Sequence, residues 1–398
     1  IVPFTEEAVV VGHTTSSDFP TTLGTIRPAM GLPAFTIEDG FVAKIATNGN
    51  TVFSSFVGAD SSNDFCTGVA LDKNNAIIIV GYSYSYNFTI QSGVDVFAFK
   101  AFLYGRGGYR PNNTTPATSD GFMVKINTSG SVLESGTLIG GSGHDRCLAV
   151  DVDIFGYAAV CGWTASTDFG ANLFDQSLGG SKEGFAMKIN TAGGSPIFTT
   201  YLGGSSAGDE EEMRGIKFDN NGSLVVCGMT NSADFPTGAI NDLPFKGGPT
   251  DGVIIQLKPD GTSAEYMTFL SGNSQDECNA IAINQVGVYA TGKTFSNNYP
   301  MVNKPSYSKQ ILGFYDAFVT ALSSCSVTLQ AAKDTTVCAF VPLTLTNNAS
   351  GTGTVKYNWV DAVAGGTTVS TTSELTFVPT VPTSITLTVE DDNCKKKV

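Results

Sequence analysis

The chain has 398 residues, of which 41% are apolar and 15% charged, and its formal net charge is −14. This acidic balance argues against nucleic acid and anionic membrane surfaces as partners, because both need clustered Lys and Arg side chains. No apolar run reaches the roughly 20 residues of a membrane span. A chain above about 300 residues is expected to form two domains or one large repetitive one.

A nine-residue segment recurs five times along the chain. Its pattern is small-Gly-x-Thr/Ser-x-Ser-x-Asp/Asn-aromatic, and its leading glycines, 64 to 81 residues apart, are Gly12, Gly81, Gly162, Gly228 and Gly292. A recurring period with strand-like content is the sequence signature of propellers and other repeat arrays.

The predicted elements of each repeat follow one order. A first strand, which alternates apolar and polar residues, is predicted at residues 66–72, 147–153, 213–219 and 278–283. After a short turn, a β-branched second strand leads into the glycine motif. A third strand begins at an acid, and a fourth follows a Gly-containing turn; the acids are Asp39, Asp120, Glu183, Asp251 and Asp316.

Four short strands per repeat, with no helical pattern between them, match one propeller blade. Because one such sheet cannot bury both of its faces, the repeats are expected to stack around an axis. The sequence predicts an all-β fold with a β-propeller of about five four-stranded blades in residues 1–324. The chain is expected to begin inside the first blade, and the last blade has no evident fourth strand after Leu322, so ring closure is open.

The second repeat carries an insertion at residues 91–119, predicted to be an exposed loop. Within it, the segment starting at Asp95 imitates a third strand, but Asp120 fits the pattern better. Four side chains of this loop are predicted to contact a ligand through ring stacking and charge: Tyr104, Arg106, Tyr109 and Arg110.

The pattern changes after residue 324. Thr-rich alternating strands at short spacing, with Trp359 in the middle, predict an Ig-like β-sandwich in residues 325–398. The basic run of residues 395–397 is expected to be a solvated end.

The motifs Gly-x-Thr-x-Ser-x-Asp-Phe-Pro, Asp-Gly-Phe-Val-x-Lys-Ile and Tyr-Leu-Gly-Gly-Ser together resemble the β-propeller repeat family of secreted and surface-anchored bacterial proteins. Residues 334–394, with Tyr-Asn-Trp at 357–359, resemble the polycystic-kidney-disease-type Ig-like modules of Bacteroidetes surface proteins. These resemblances imply an extracellular, cell-surface adhesin or surface-filament component, exported by the gliding-associated (type IX) secretion system. Further Ig-like modules of the same parent chain are then expected partners.

Four acids two residues before the predicted first strands form the candidate metal site: Asp64, Asp145, Glu211 and Asp276. If those strands line the axis, the carboxylates form part of a ring that could hold Ca²⁺ as a cofactor. Alternatively, each carboxylate accepts backbone N–H bonds in its own turn. The motif position held by Asp18, Asn87, Asp168, Asp234 and Asn298 exchanges Asp for Asn, which favours a turn-forming role over acid–base catalysis.

Two cysteine pairs are candidate disulfides. Cys338 and Cys394 bracket the predicted sandwich, and a bridge there would close a long loop. Cys147 and Cys161 are expected to lie opposite each other in a hairpin, where they either form a bridge or remain buried free thiols. Such pairings favour an oxidising compartment.

With the extracellular location that the resemblance implies, we expect a noncatalytic module that binds a surface glycan or protein through its loops. No Ser–His–Asp or His-based constellation breaks the repeat symmetry, since His13 and His144 lie at positions that other repeats fill differently. Two alternatives remain: a calcium-stabilised scaffold, and a propeller glycoside hydrolase or lyase that uses paired carboxylates.

Overall fold

A computed structural model describes the chain except for residues 4, 31–36, 60–62, 85–88, 92–93, 96–117, 193–195, 206–207, 209, 236–239, 242–244, 285–286, 301–313, 324–342, 347–355, 362–366, 372, 378–384, 392–393 and 398. The described part is all-β and contains no helix, and therefore no helix able to cross a membrane. It divides into two compact units, Ile1–Ile283 with Tyr289–Thr320, and Asn284–Val288 with Ala321–Val398. The predicted boundary at 324/325 lies at the edge of an undescribed stretch.

The strands up to residue 323 form a series of sheets that follows the repeats. In chain order they are β1 (Ala8–Thr14), β2 (Asp39–Ile45), β3 (Thr51–Val57), β4 (Asp64–Leu71), β5 (Ile77–Ser83), β6 (Thr89–Gln91), β7 (Val94–Asp95), β8 (Asp120–Ile126), β9 (Leu133–Ile139), β10 (Asp145–Val152), β11 (Tyr157–Thr164), β12 (Glu183–Asn190), β13 (Phe198–Leu202), β14 (Glu211–Phe218), β15 (Leu224–Thr230), β16 (Ile240–Asn241), β17 (Asp251–Leu257), β18 (Ala264–Leu270), β19 (Asp276–Ile283), β20 (Gly287–Thr294) and β21 (Asp316–Ser323).

Five sheets, numbered here in chain order, correspond to the five repeats. Their strand orders are β1-β2-β3, β4-β5-β8-β9, β10-β11-β12-β13, β14-β15-β17-β18-β16 and β19-β20-β21. Main-strand neighbours pair antiparallel, while the short β16 adds to sheet 4 in parallel. In the described chain, no strand pairs with the outer edge of β1 in sheet 1, and sheet 5 ends at β21, after which residues 324–342 lie outside the described part.

The third strands begin where the sequence pattern predicts, whereas the first strands do not. Each third strand begins at its predicted acid, and β8 begins at Asp120 as expected. The first strands begin two residues earlier than predicted, at Asp64, Asp145, Glu211 and Asp276. These acids therefore belong to the strands, because their residues already pair with the second strand.

A β-bulge interrupts three first strands at the same place. The register shifts between Cys66 and Gly68, between Cys147 and Ala149, and between Met213 and Gly215. One extra residue on the first strand bends it and increases its twist. The alternating pattern gives no sign of this insertion.

The bulge also determines whether Cys147 and Cys161 face each other in sheet 3. Cys147 pairs with Gly162, whereas Cys161 pairs with Ala149, so the two cysteines are not cross-strand partners. Successive residues of a strand point to opposite faces, so this shift separates the two side chains. The expected facing arrangement is wrong, and both residues are buried free thiols.

The apolar core lies between successive sheets. One buried cluster joins residues of sheets 1 and 2, another joins sheets 2 and 3, and a third joins sheets 3 and 4. Close approach is possible where small residues face bulky ones: Phe53 packs on the Cα of Gly130, where a Cβ would lie 2.4 Å from the ring. Burial against a neighbouring sheet supplies the stabilisation that an isolated sheet lacks.

The second unit contains two further sheets. Its strands are β22 (Leu343–Thr346), β23 (Lys356–Asp361), β24 (Thr367–Ser370), β25 (Glu374–Phe377), β26 (Ile385–Asp391) and β27 (Cys394–Lys397), in sheet orders β22-β25 and β24-β23-β26-β27. Trp359, Leu375 and Leu387 are buried. The basic run at residues 395–397 lies in the edge strand β27, which pairs with β26.

Candidate functional site

The acid that begins each first strand closes the loop leading from the previous sheet. The carboxylate of Asp145 accepts hydrogen bonds from the backbone N–H of Gly141 (2.8 Å), the Ser166 hydroxyl (2.8 Å) and the Thr164 hydroxyl. Thr164 and Ser166 belong to the glycine motif, so the acid ties the motif to the loop. Equivalent, fully buried acids that accept hydrogen bonds from the loop or from the motif hydroxyls are Asp64, Glu211 and Asp276.

The structure does not bring these four acids together. Each begins a strand of a different sheet, and in the described residues no group of three or more His, Cys, Asp or Glu side chains is placed to hold a metal ion. Asp64, Asp145 and Asp276 accept loop N–H groups, as in the turn interpretation that is the alternative to a calcium ring.

A second acid, from the third strand of the preceding sheet, lies beside each of them. Asp120 and Asp145 both contact the Cα of Gly140, where a Cβ would lie 2.6 Å from Asp120 Oδ1 and 2.9 Å from Asp145 Oδ2. Four such acid pairs occur: Asp39 with Asp64, Asp120 with Asp145, Glu183 with Glu211, and Asp251 with Asp276. The acid pairs thus recur at each junction between successive sheets.

Burial dominates the protonation of these pairs. Burial, together with the neighbouring Asp145 carboxylate, raises the pKa of Asp120 to about 8, and burial raises the pKa of Asp145 to about 6. Burial also raises the pKa of Asp64 to about 7 and that of Asp251 to about 6. At neutral pH the pair of Asp120 and Asp145 is therefore expected to retain a proton.

The first acid pair differs because a cation lies beside it. Arg27 is 8% exposed, and its Nη2 lies 3.4 Å from Asp39 Oδ2. The same nitrogen donates to the carbonyl oxygen of Ala59 at 3.3 Å. This guanidinium offsets the negative charge that burial disfavours at this junction.

One of the acid pairs is fully closed to solvent, which bears on the hydrolase alternative. Asp251 and Asp276 are both 0% exposed. A sugar reaches neither carboxyl while the junction is closed, whereas glycoside hydrolysis needs both at the scissile bond.

The Asp/Asn position of the motif has a structural role. Asp168 Oδ1 accepts the Ser142 backbone N–H at 2.7 Å and its hydroxyl at 2.8 Å, and Asn298 Oδ1 accepts the Asn273 N–H at 2.7 Å. An amide oxygen performs this role as well as a carboxylate oxygen does. These two positions thus have the structural role that the Asp/Asn exchange indicates, but the hydrogen bond joins the motif to the loop from the preceding sheet and does not close a local turn.

A row of aromatic and charged side chains crosses sheets 1 to 3 at one end of their strands. The Phe65 ring contacts His13 at 4.8 Å and stacks on Tyr82 at 4.5 Å, measured between centroids. The Arg146 guanidinium carbon lies 4.2 Å from the Tyr82 ring centroid and 5.0 Å from that of Trp163. We call this row the rim; in sheets 1 to 3 it comprises His13, Phe65, Tyr82, Tyr84, His144, Arg146, Trp163 and Lys182.

The rim continues into sheets 4 and 5 as alternating charges. Lys182 Nζ lies 2.9 Å from Glu212 Oε1, and Arg214 bridges Glu212 and Glu277. Lys293 pairs with Glu277 at 3.1 Å. The far end is an aromatic cluster of Phe295, Phe314 and Tyr315.

Arg146 differs from the other rim cations in its partners. Lys182, Arg214 and Lys293 each pair with a carboxylate, but Arg146 forms no ion pair with any described residue. Its Nη2 donates to the Tyr84 hydroxyl at 2.7 Å, and its buried Nε has no hydrogen-bond partner in the described part of the chain. The rim thus carries one guanidinium whose charge is not neutralised.

The predicted ligand-contact residues of the insertion, Tyr104, Arg106, Tyr109 and Arg110, lie outside the described residues, as does Cys338, the expected partner of Cys394. Sequence reasoning missed the rim. A signal was present, because the residue after each motif glycine is His13, Tyr82, Trp163, Met229 or Lys293, while the glycine itself does not change. Variation at equivalent positions of a repeat marks where the repeats differ in chemistry.

No protein-family model matches this chain, and no curated protein matches its sequence. The functional argument therefore depends on the rim and the acid pairs themselves.

Proposed function

We propose that the chain is a noncatalytic binding and structural module of a large extracellular, cell-surface protein, built as a β-propeller followed by an Ig-like sandwich. The series of stacked antiparallel sheets supports the propeller proposal, and the two small sheets of the second unit support the sandwich. The ligand is a surface glycan or protein. Further Ig-like modules of the same parent chain extend the protein from the cell.

The rim is the observation that carries this proposal. Buried positions repeat from sheet to sheet, as the acids that begin the first strands illustrate. At the rim, by contrast, the residue that follows this acid is Phe65, Arg146, Glu212 or Glu277. A constant scaffold that carries different aromatic and charged groups at equivalent positions of one edge is suited to recognition.

A glycan and cell-surface binding screen tests the proposal. The double variant Tyr82→Ala, Trp163→Ala removes two rim rings, and we expect at least about tenfold weaker binding because stacked aromatic contacts dominate such surfaces. Phe155→Ala is the matched control, since Phe155 is an aromatic side chain of sheet 3, 74% exposed at the hairpin turn away from the rim. Equal binding by the double variant and the control would contradict a recognition role for the rim.

A further inference from the structure

Arg146 is held in a fixed orientation by three aromatic side chains. It is the second residue of β10 and pairs with Trp163 of β11. Its guanidinium lies between the Tyr82 and Trp163 rings, and the Tyr84 hydroxyl accepts one of its N–H groups at 2.7 Å. A guanidinium fixed in this way loses little side-chain entropy when a ligand binds to its remaining donors.

The charge at this site is notable in so acidic a chain. The protein carries 36 Asp and Glu against 22 Lys and Arg, yet no described carboxylate pairs with Arg146. A guanidinium has five N–H donors, and only one donates to a described protein group here. The half-buried guanidinium therefore has no anionic partner among the described residues. A ligand carboxylate can fill this role by accepting two of its N–H groups in a bidentate pair.

We propose that Arg146, Tyr82, Tyr84 and Trp163 form a subsite for a carboxylate-bearing sugar, a uronic acid residue of a surface polysaccharide. The inference rests on the proposed binding function and names its substrate class. The guanidinium binds the carboxylate, and the edges of the aromatic rings flank the sugar, because Phe65 and Arg146 already cover the two faces of the Tyr82 ring. Three aromatic rings around one cation form apolar surroundings, which suit the C–H groups of a sugar ring better than the polar backbone of an extended acidic peptide.

Binding to immobilised polygalacturonate tests the subsite. We expect Arg146→Gln to weaken binding about tenfold to a hundredfold, because a charge-assisted pair is lost. Arg146→Lys keeps the positive charge but lacks the planar guanidinium, so its affinity is expected to lie between those of the wild type and Arg146→Gln. Lys188→Gln is the matched control, since Lys188 lies over the Tyr157 and Phe218 rings at 5.5 and 5.4 Å.

Control polymers distinguish binding of a uronate from binding of other ligands. Methyl-esterified polygalacturonate lacks the carboxylate charge and is expected to bind as weakly as the Arg146→Gln variant. Equal binding of the ester, stronger binding of dextran sulfate or poly-glutamate, or unchanged binding by a folded Arg146→Gln variant would each overturn the uronate subsite. Binding of neutral glycans that Tyr82→Ala, Trp163→Ala abolishes, without an effect of Arg146→Gln, would overturn the subsite and leave the proposed function standing.

Discussion

At the scale of single residues, the buried acid pairs set the pH response of the fold. A carboxyl whose pKa is raised on folding binds more protons in the native state than in the unfolded chain. Its contribution to stability is complete below its unfolded pKa, near 4, and is lost as pH rises through its folded pKa. As pH rises, the stabilisation by Asp145 and Asp251, with pKa values of about 6, is lost first. That of Asp64, with a pKa of about 7, and of Asp120, with a pKa of about 8, follows.

We therefore expect the melting temperature to fall as pH increases from about 5 to 8. Thermal unfolding followed by circular dichroism over this range measures the effect. In Asp120→Asn, a neutral amide replaces the protonated acid, so the variant should lose less stability than wild type over the same interval. A melting temperature that rises with pH, or equal slopes for the two proteins, would contradict protonated acid pairs.

Below pH 4 the expected direction reverses because of acids at the motif turns. The hydrogen bond from the Ser205 hydroxyl holds the pKa of Asp234 below its usual value. Burial works to raise the pKa of Asp168, but the Ser142 backbone and hydroxyl donors outweigh it and lower that pKa. Stability contributed by these groups is present above their unfolded pKa and is lost as they become protonated in acid.

At the scale of the strand, the bulge explains why the motif begins with glycine. A Cβ on Gly228 would lie 2.0 Å from the carbonyl oxygen of Glu212, and Gly162 and Gly81 meet the opposite strand at 1.8 Å in the same way. Backbone atoms cannot move aside as a side chain can. Gly12 is the exception, because sheet 1 has no first strand opposite it and a Cβ there meets only the Phe41 ring at 2.9 Å.

This difference predicts unequal costs for one substitution at equivalent positions. Gly228→Ala should destabilise the protein by about 2–3 kcal/mol, as overpacking does. Gly12→Ala should cost less than about 1 kcal/mol, since alanine also restricts the unfolded chain. Melting temperatures of the two variants compare them directly. Similar losses at both sites would show that conformational freedom, and not the close approach of the first strand, selects this glycine.

The strands were predictable from the sequence to the extent that local pattern specifies them. Alternation and the recurring acid identify the first and third strands, and Asp120 was distinguished from Asp95 by the quality of its match. The bulge at Leu148 was not predictable, because an extra residue leaves apolar alternation almost unchanged while shifting Cys147 away from Cys161. The rim was missed for a related reason: Tyr82 and Arg146 lie on different sheets, and sequence periodicity does not report contacts between sheets.

At the scale of the whole molecule, stability depends on each sheet being covered by its neighbours. The second residue before the motif glycine is fully buried in sheets 2, 3 and 4, as Ile79, Val160 and Val226. Its equivalent in sheet 1, Val10, is 42% exposed. Strand β1 is also the edge of its sheet in the described chain, so some of its N–H groups lack a strand partner.

Hydrogen–deuterium exchange should therefore show less amide protection in sheet 1 than in the inner sheets. We expect amides of β1 to exchange at least about tenfold faster than those of β11 and β15, because local opening at an edge strand exposes fewer buried contacts. Equal protection of β1 and the inner strands would mean that another strand covers that edge in solution, as it would when a propeller ring closes. The same measurement covers β10 and β11, which carry Arg146 and Trp163 of the rim. Slower amide exchange in these strands on adding a ligand would show that the ligand binds at the rim.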